Sequence, residues 1–62
     1  MPILDITLLE GRDDEKKGKL IRAVTEATVD ALDVSPQQVR VILREVPLSH
    51  FAVAGVRKSE GS

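Results

Sequence analysis

Apolar and polar positions alternate from Ile3 to Leu9, with Leu4, Ile6 and Leu8 on one side of an extended chain and Asp5 and Thr7 on the other. That period of two predicts a first strand. Glu10, Gly11 and Arg12 interrupt it, and Asp13 then stands where a helix N-cap carboxylate accepts from the free amides of the first turn. From Asp14 to Leu32 the period changes. Leu20, Ile21, Val24, Ala27, the methyl of Thr28, Ala31 and Leu32 recur at the spacing of a helical stripe able to cover a sheet. The opposite face carries Glu15, Lys19, Arg22, Glu26 and Asp30, a solvated or interface face on which Glu15 and Lys19 stand in the favourable i, i+4 order. Gly18 costs about 1 kcal/mol relative to alanine inside a helix. It either marks a close approach by another backbone or has no packing meaning.

Asp33 and Val34 end the helix, and Ser35, Pro36, Gln37 and Gln38 read as a one-turn connector with serine as N-cap, proline at the first position and glutamine completing a capping box. Residues 39–46 are strongly β-prone and Pro47 closes them. Two strands flanking one long helix form a βαβ unit with parallel strands and a right-handed crossover. The small, apolar run 49–56 suits a short hairpin or edge strand, and the polar residues 58–62 are expected to fray. The fold class is therefore α/β, with residues 1–62 as one domain. One helix over two strands leaves the second sheet face and both edges bare, so the pattern predicts self-association.

Composition strengthens that expectation. A chain of 62 residues buries only about 60% of the surface it exposes unfolded, and a core this small supplies roughly 3 to 5 kcal/mol. Without cysteine and with one histidine, neither disulfides nor a structural zinc site can make up the difference. The 42% hydrophobic and 31% charged fractions are those of a folding chain. A net charge of −1 supplies no basic footprint for nucleic acid. No secretory leader or membrane-spanning run stands out, so a cytoplasmic protein with no membrane partner is expected.

Phosphate-binding loops, paired cysteines and nucleophile elbows are absent. What remains is Pro2, the arginines in or beside the strands, His50 and Phe51. Removal of Met1 would leave Pro2 as a free secondary amine, and apolar surroundings or nearby cations would push that amine towards neutrality and make it a base. Alternatively, Pro2 is only a residue compatible with a strand start. Arg12 in the strand-to-helix loop and Arg40 inside the second strand suit a dianion, Arg40 as a planar fork for a carboxylate; taken singly, each reads more readily as a surface residue or an ion-pair partner. Arg44, on the same strand face as Arg40, can pair with Glu45 of another strand. Phe51, the only aromatic, fits an ordinary core position, and His50 fits a structural hydrogen bond better than acid–base work.

Taken together, Pro2-Ile3, Leu9-Glu10-Gly11-Arg12 followed by Asp14-Glu15, Leu20-Ile21-Arg22, Val39-Arg40-Val41-Ile42 and His50-Phe51 resemble the 4-oxalocrotonate tautomerases, in register as far as Gly55. The resemblance implies a βαβ protomer with a short C-terminal hairpin, assembled as a homohexamer, a trimer of dimers whose sites draw on more than one subunit. It implies a cofactor-independent isomerase of aromatic-compound degradation that moves a proton in a small unsaturated 2-hydroxy or 2-oxo dicarboxylate such as 2-hydroxymuconate. On that pattern Pro2 is the general base, Arg40 holds the 2-oxo and first carboxylate oxygens, and Arg12 grips the distal carboxylate. Phe51 dries the pocket, and Leu9 contributes its backbone amide. The same scaffold and base can serve dehalogenation, hydration or a natural-product step, and a chain retaining Met1 would be a noncatalytic oligomeric binding module. The sequence departs from the pattern at Ala52-Val53-Ala54-Gly55, where relatives carry more glycine, and from Val56 to Ser62.

Overall fold

The computed structural model describes residues 1–61. Its core unit is β1 (Ile3–Leu9), α1 (Asp14–Leu32) and β2 (Arg40–Val46), with a 3-10 turn at Pro36–Gln38 leading into β2. The two strands are parallel, with Ile3 opposite Arg40, Asp5 opposite Ile42 and Leu9 opposite Val46. A second 3-10 turn, Leu48–His50, leads to an antiparallel hairpin of β3 (Ala52–Val53) and β4 (Val56–Arg57), followed by the single helical turn α2 (Lys58–Gly61). This is the α/β arrangement that the hydrophobic periods predict.

Local chemistry sets the boundaries. At Gly11 the backbone turns with φ of 121°, a conformation that side chains oppose, and this re-aims the chain from β1 into the helix. Asp13 then caps α1 by accepting the amide of Lys16 at 2.8 Å, while Asp14 and Glu15 sit favourably at the positive end of the helix dipole. The Gln38 side chain accepts the Ser35 amide at 3.0 Å, as the capping signal indicates. β2 starts one residue later than expected because the Val39 amide donates to Pro36 O at 3.1 Å and so belongs to the turn.

The helical stripe is partly re-phased. Leu20, Val24, Thr25, Thr28 and Val29 are half-buried against the sheet, whereas Ala27 and Ala31 are exposed, as are Ile21 and Leu32. Thr25 and Thr28 can face the sheet because their hydroxyls donate to the carbonyls of Ile21 and Val24, both at 2.7 Å, leaving the methyls for packing. Gly18 meets no other backbone within the protomer: a Cβ placed there would lie 3.5 Å from the flexible end of Arg22. The tail is also more ordered than expected. Residues 58–61 form a helical turn because Arg57 donates to the Glu60 carboxylate at 2.7 Å and the Lys58 amide to Phe51 O at 2.8 Å. Ser62 lies outside the described residues.

No described residue is fully buried. The protomer measures 43 × 24 × 13 Å with a radius of gyration of 14.7 Å, against about 11 Å for a compact domain of this length. Its accessible surface is 4787 Å², where a folded monomer of this mass exposes about 4,000 Å². Ile3 and Ile42, on the sheet face away from the helix, remain 63% and 41% exposed. If other copies of the chain supply the missing core, the thermal midpoint should fall measurably on dilution into the nanomolar range. A midpoint independent of concentration would contradict this.

Two non-glycine residues occupy the left-handed region: Asp33 at the C-cap of α1 (φ 56°) and Ala54 in the hairpin turn (φ 55°), next to Gly55 at 81°. Positive φ at both central residues defines the primed turn that matches strand twist, and alanine is poorly suited to it. Ala54→Gly is expected to raise stability by about 0.5 to 1 kcal/mol after the entropy cost of glycine is deducted. Asp33→Gly should gain a similar amount, about 1 kcal/mol, since it also removes an anion from the negative end of the helix. Denaturation midpoints at fixed protein concentration check both; lower midpoints in both variants would refute the strain argument.

Candidate active site

The residues singled out from the sequence fall into two groups at opposite ends of the sheet. Pro2 precedes β1, is half-buried, and its carbonyl accepts the Arg40 amide at 3.0 Å, so Pro2 and the start of β2 are fixed side by side. The Arg40 guanidinium is held by the connector, its Nη1 donating to Gln37 O at 2.6 Å. Leu9 lies at the far end of β1, opposite Val46. Seven residue-to-residue steps of strand separate Pro2 from Leu9, about 23 Å at 3.3 Å per residue.

Arg12 belongs to the far end. With Leu8, Lys16, Lys17 and Leu20 it lines a pocket of about 240 Å³ that has an aliphatic floor and a cationic rim. Lys17 is already paired, its Nζ 2.8 Å from the Glu45 carboxylate. Phe51 is tied to the same end, because the Glu10 carboxylate accepts the Leu48 amide at 3.3 Å and the Glu10 amide donates to Val46 O at 3.0 Å. The ring remains 43% exposed and forms one wall of a second pocket of about 230 Å³ with Val53, Val56, Arg57, Lys58 and Gly61. It is thus not the core residue that an isolated aromatic suggests. One protomer therefore brings Pro2 and Arg40 together but does not bring Arg12, Leu9 or Phe51 to them.

Three interactions escaped the sequence reading. Arg44 pairs within its own chain, its Nε 2.8 Å and Nη2 3.1 Å from the two Asp5 carboxylate oxygens, and Glu45 is taken by Lys17. Only the strand register, which puts residues 5 and 44 diagonally on one face, could have revealed the first pair. Glu10, read as a strand breaker, is the tether of the 3-10 turn at Leu48–His50. The His50 side chain makes no hydrogen bond among the described residues, and only its amide is used, donating to Pro47 O at 2.8 Å. No cluster of metal-ligating side chains occurs among the described residues, and no helix is long and apolar enough to cross a membrane.

The protomer is a small α/β unit with a basic pocket at one end of its sheet and Pro2 beside Arg40 at the other. The family model for the tautomerase enzymes matches residues 2–61, and the chain belongs to that family. It is 49% identical over 59 residues to a probable tautomerase of Ralstonia nicotianae, covering 95% of this chain and 84% of that protein. To the 2-hydroxymuconate tautomerase of Pseudomonas putida it is 49% identical over 55 residues, covering 89% and 87% of the two chains. Among solved structures, a heterohexamer 4-oxalocrotonate tautomerase from Chloroflexus aurantiacus superposes with a TM-score of 0.91 at 45% identity over 97% of both chains.

The Asp5–Arg44 fork has a pH signature. The hydrogen bond from Arg44, assisted by its charge, holds the Asp5 carboxyl below its ordinary value against the opposing effect of desolvation. A depressed folded-state value means that the stabilisation is present above the unfolded carboxylate range and is lost as pH falls through the folded value. Both side chains are about half exposed, so the effect is modest and screened by salt. Asp5→Asn should flatten the acid limb of the stability curve and leave the limb above neutrality unchanged. Equal acid limbs in the two proteins would refute the assignment.

Proposed function

We propose that the chain is a cofactor-independent isomerase acting on a small unsaturated 2-hydroxy or 2-oxo dicarboxylate such as 2-hydroxymuconate, with Pro2 as its general base after removal of Met1. The observation that carries this reading is the pairing of Pro2 with Arg40 at one sheet end, joined by the 3.0 Å bond between their backbones, in a chain of the tautomerase family. An ordinary α-amino group titrates near about 7.7 to 8.0, and a cation beside it disfavours the ammonium form. The free amine of Pro2 then takes a proton from the substrate, the electron pair spreads into a dienolate, and the ammonium returns the proton at another carbon. Arg40 binds the 2-oxo and first carboxylate oxygens, where charge develops.

Arg12 holds the distal carboxylate from a second subunit, since about 23 Å of strand keeps it from the Pro2 of its own chain. Phe51 excludes water, and the Leu9 amide adds a donor to the same half-site. The assembly is a homohexamer built as a trimer of dimers, supported by the uncovered sheet face and the hexameric relative. It works in the cytoplasm, in the degradation of aromatic compounds.

Ultraviolet assay of 2-hydroxymuconate ketonisation tests the reaction. Pro2→Ala should lower kcat by about 10²- to 10⁴-fold, and Arg40→Ala should lower kcat/KM by about 10²- to 10³-fold. Arg12→Ala should act mainly on KM for dicarboxylates and spare monocarboxylates. Full activity in Pro2→Ala would sink the mechanism. Intact-mass spectrometry must show loss of one methionine: a chain that retains Met1 has an amide at Pro2 and no base, which would leave only a noncatalytic binding module. Native mass spectrometry of the chain expressed alone separates a homohexamer from a heterohexamer.

A further inference from the structure

The face of the sheet away from α1 is formed by Ile3, Asp5, Thr7 and Leu9 of β1 and by Arg40, Ile42, Arg44 and Val46 of β2. Its charged members are one carboxylate and two guanidinium groups. Asp5 lies opposite Ile42, so Arg40 and Arg44 stand two residues to either side of its partner, both diagonal to it. Diagonal neighbours on one face lie about 7 to 8 Å apart at Cα, within reach of a long side chain. Asp5 thus has two possible arginine partners of nearly equal register.

It takes one of them with both oxygens. Arg44 presents Nε at 2.8 Å and Nη2 at 3.1 Å, the fork geometry that matches a carboxylate, and Asp5 makes no hydrogen bond or ion pair with Arg40. The Arg40 guanidinium is drawn the other way, to the neutral carbonyl of Gln37 at 2.6 Å. Once Asp5 and Arg44 cancel, the face retains a single unneutralised charge, that of Arg40. A carboxylate next to Arg40 would otherwise compete with any anion that this arginine is meant to bind. The other ionisable groups of the unit do not enter this competition: Glu45 is on the helix side of the sheet with Lys17, and Glu10 holds the Leu48 amide.

We infer that Arg44 is a positioning residue that sequesters Asp5 and thereby keeps the Arg40 guanidinium available to an anionic substrate. This rests on the reading of Arg40 as the carboxylate-binding arginine. Arg44 itself touches no substrate; it acts by removing an internal competitor.

The test uses the assembled, Met-processed protein and the variants Arg44→Ala, Arg44→Lys, Asp5→Asn and Asp5→Asn/Arg44→Ala. In Arg44→Ala, Asp5 turns to Arg40, and KM for 2-hydroxymuconate should rise about tenfold, the scale of one charged hydrogen bond, with kcat changed less than about twofold. Adding Asp5→Asn should return KM to within about twofold of the wild-type value, because the competitor is gone, and Arg44→Lys should recover part of it. Asp5→Asn alone should leave KM and kcat unchanged. A double variant as impaired as Arg44→Ala, including one that fails to assemble, would show that Arg44 is needed only for structure and would overturn the inference. So would an Arg44→Ala enzyme with wild-type KM.

A second readout needs no turnover. The Asp5 carboxyl, followed by carbon NMR during acid titration, should stay depressed in Arg44→Ala as Arg40 takes over, and should return to the ordinary range in Arg40→Ala/Arg44→Ala. Identical titrations in those two proteins would refute the exchange of partners. An inactive wild type would sink the proposed reaction and leave this measurement to decide the partner exchange.

Discussion

The structure depends on one deficit of cover. A single nineteen-residue helix lies across a two-stranded parallel sheet, and it can shield only one face. That helix side supplies what interior the protomer has: Leu4, Ile6 and Leu8 of β1 and Val41 and Leu43 of β2, all half-buried. On the other side Leu9 and Val46 are half-buried at one end, while Ile3, Ile42 and the Asp5–Arg44 fork are left exposed. Hydrophobic burial is the dominant favourable term in folding, and no described residue of the protomer is completely buried. The same deficit governs the chemistry. The sheet that leaves its core open also keeps Pro2 and Arg40 at the opposite end from Leu9 and Arg12.

Where the sequence was legible, the signal was short in range. The strand from Ile3 to Leu9, the Asp13 cap, the helix to Leu32 and the Ser35–Gln38 connector follow from residues within a turn or two of one another, and their hydrogen bonds appear as that chemistry requires. What stayed hidden depended on packing and on register. The helical stripe was read with Ile21, Ala27, Ala31 and Leu32 inward, because apolar type and periodicity alone do not report which residues meet the sheet. In the structure, Thr28 keeps its expected inward place and is joined by Thr25 and Val29, both threonines satisfying their hydroxyls along the helix. The tail was read as frayed because nothing in the order of Arg57 and Glu60 marks an ion pair until a turn brings them together.

The candidate site was legible in an uneven way. Pro2, Leu9, Arg12, Arg40 and Phe51 were chosen by residue type and by family pattern, and the fold sorts them into a proline–arginine end and an arginine–phenylalanine end. The predicted parallel pairing already sets the start of β1 beside the start of β2, but the register that puts Ile3 opposite Arg40 comes from the structure. The two ends are joined by a stiff strand, and the Glu10 tether to Leu48 keeps Phe51 at the Arg12 end. That makes the spacing between them a fixed property of the chain rather than an adjustable one.

That fixed spacing also has a genetic reading. If each site takes its proline end from one copy and its Arg12 end from another, a lesion at one end of a polypeptide damages a neighbour's chemistry as well as its own. Two alleles crippled at opposite ends would then restore intact sites in a mixed assembly. A duplicated gene would remain bound to its sister through shared sites, free to lose one end so long as the sister keeps it. Selection would act on the set of copies that assemble together, and a single gene would not be the unit that is tested.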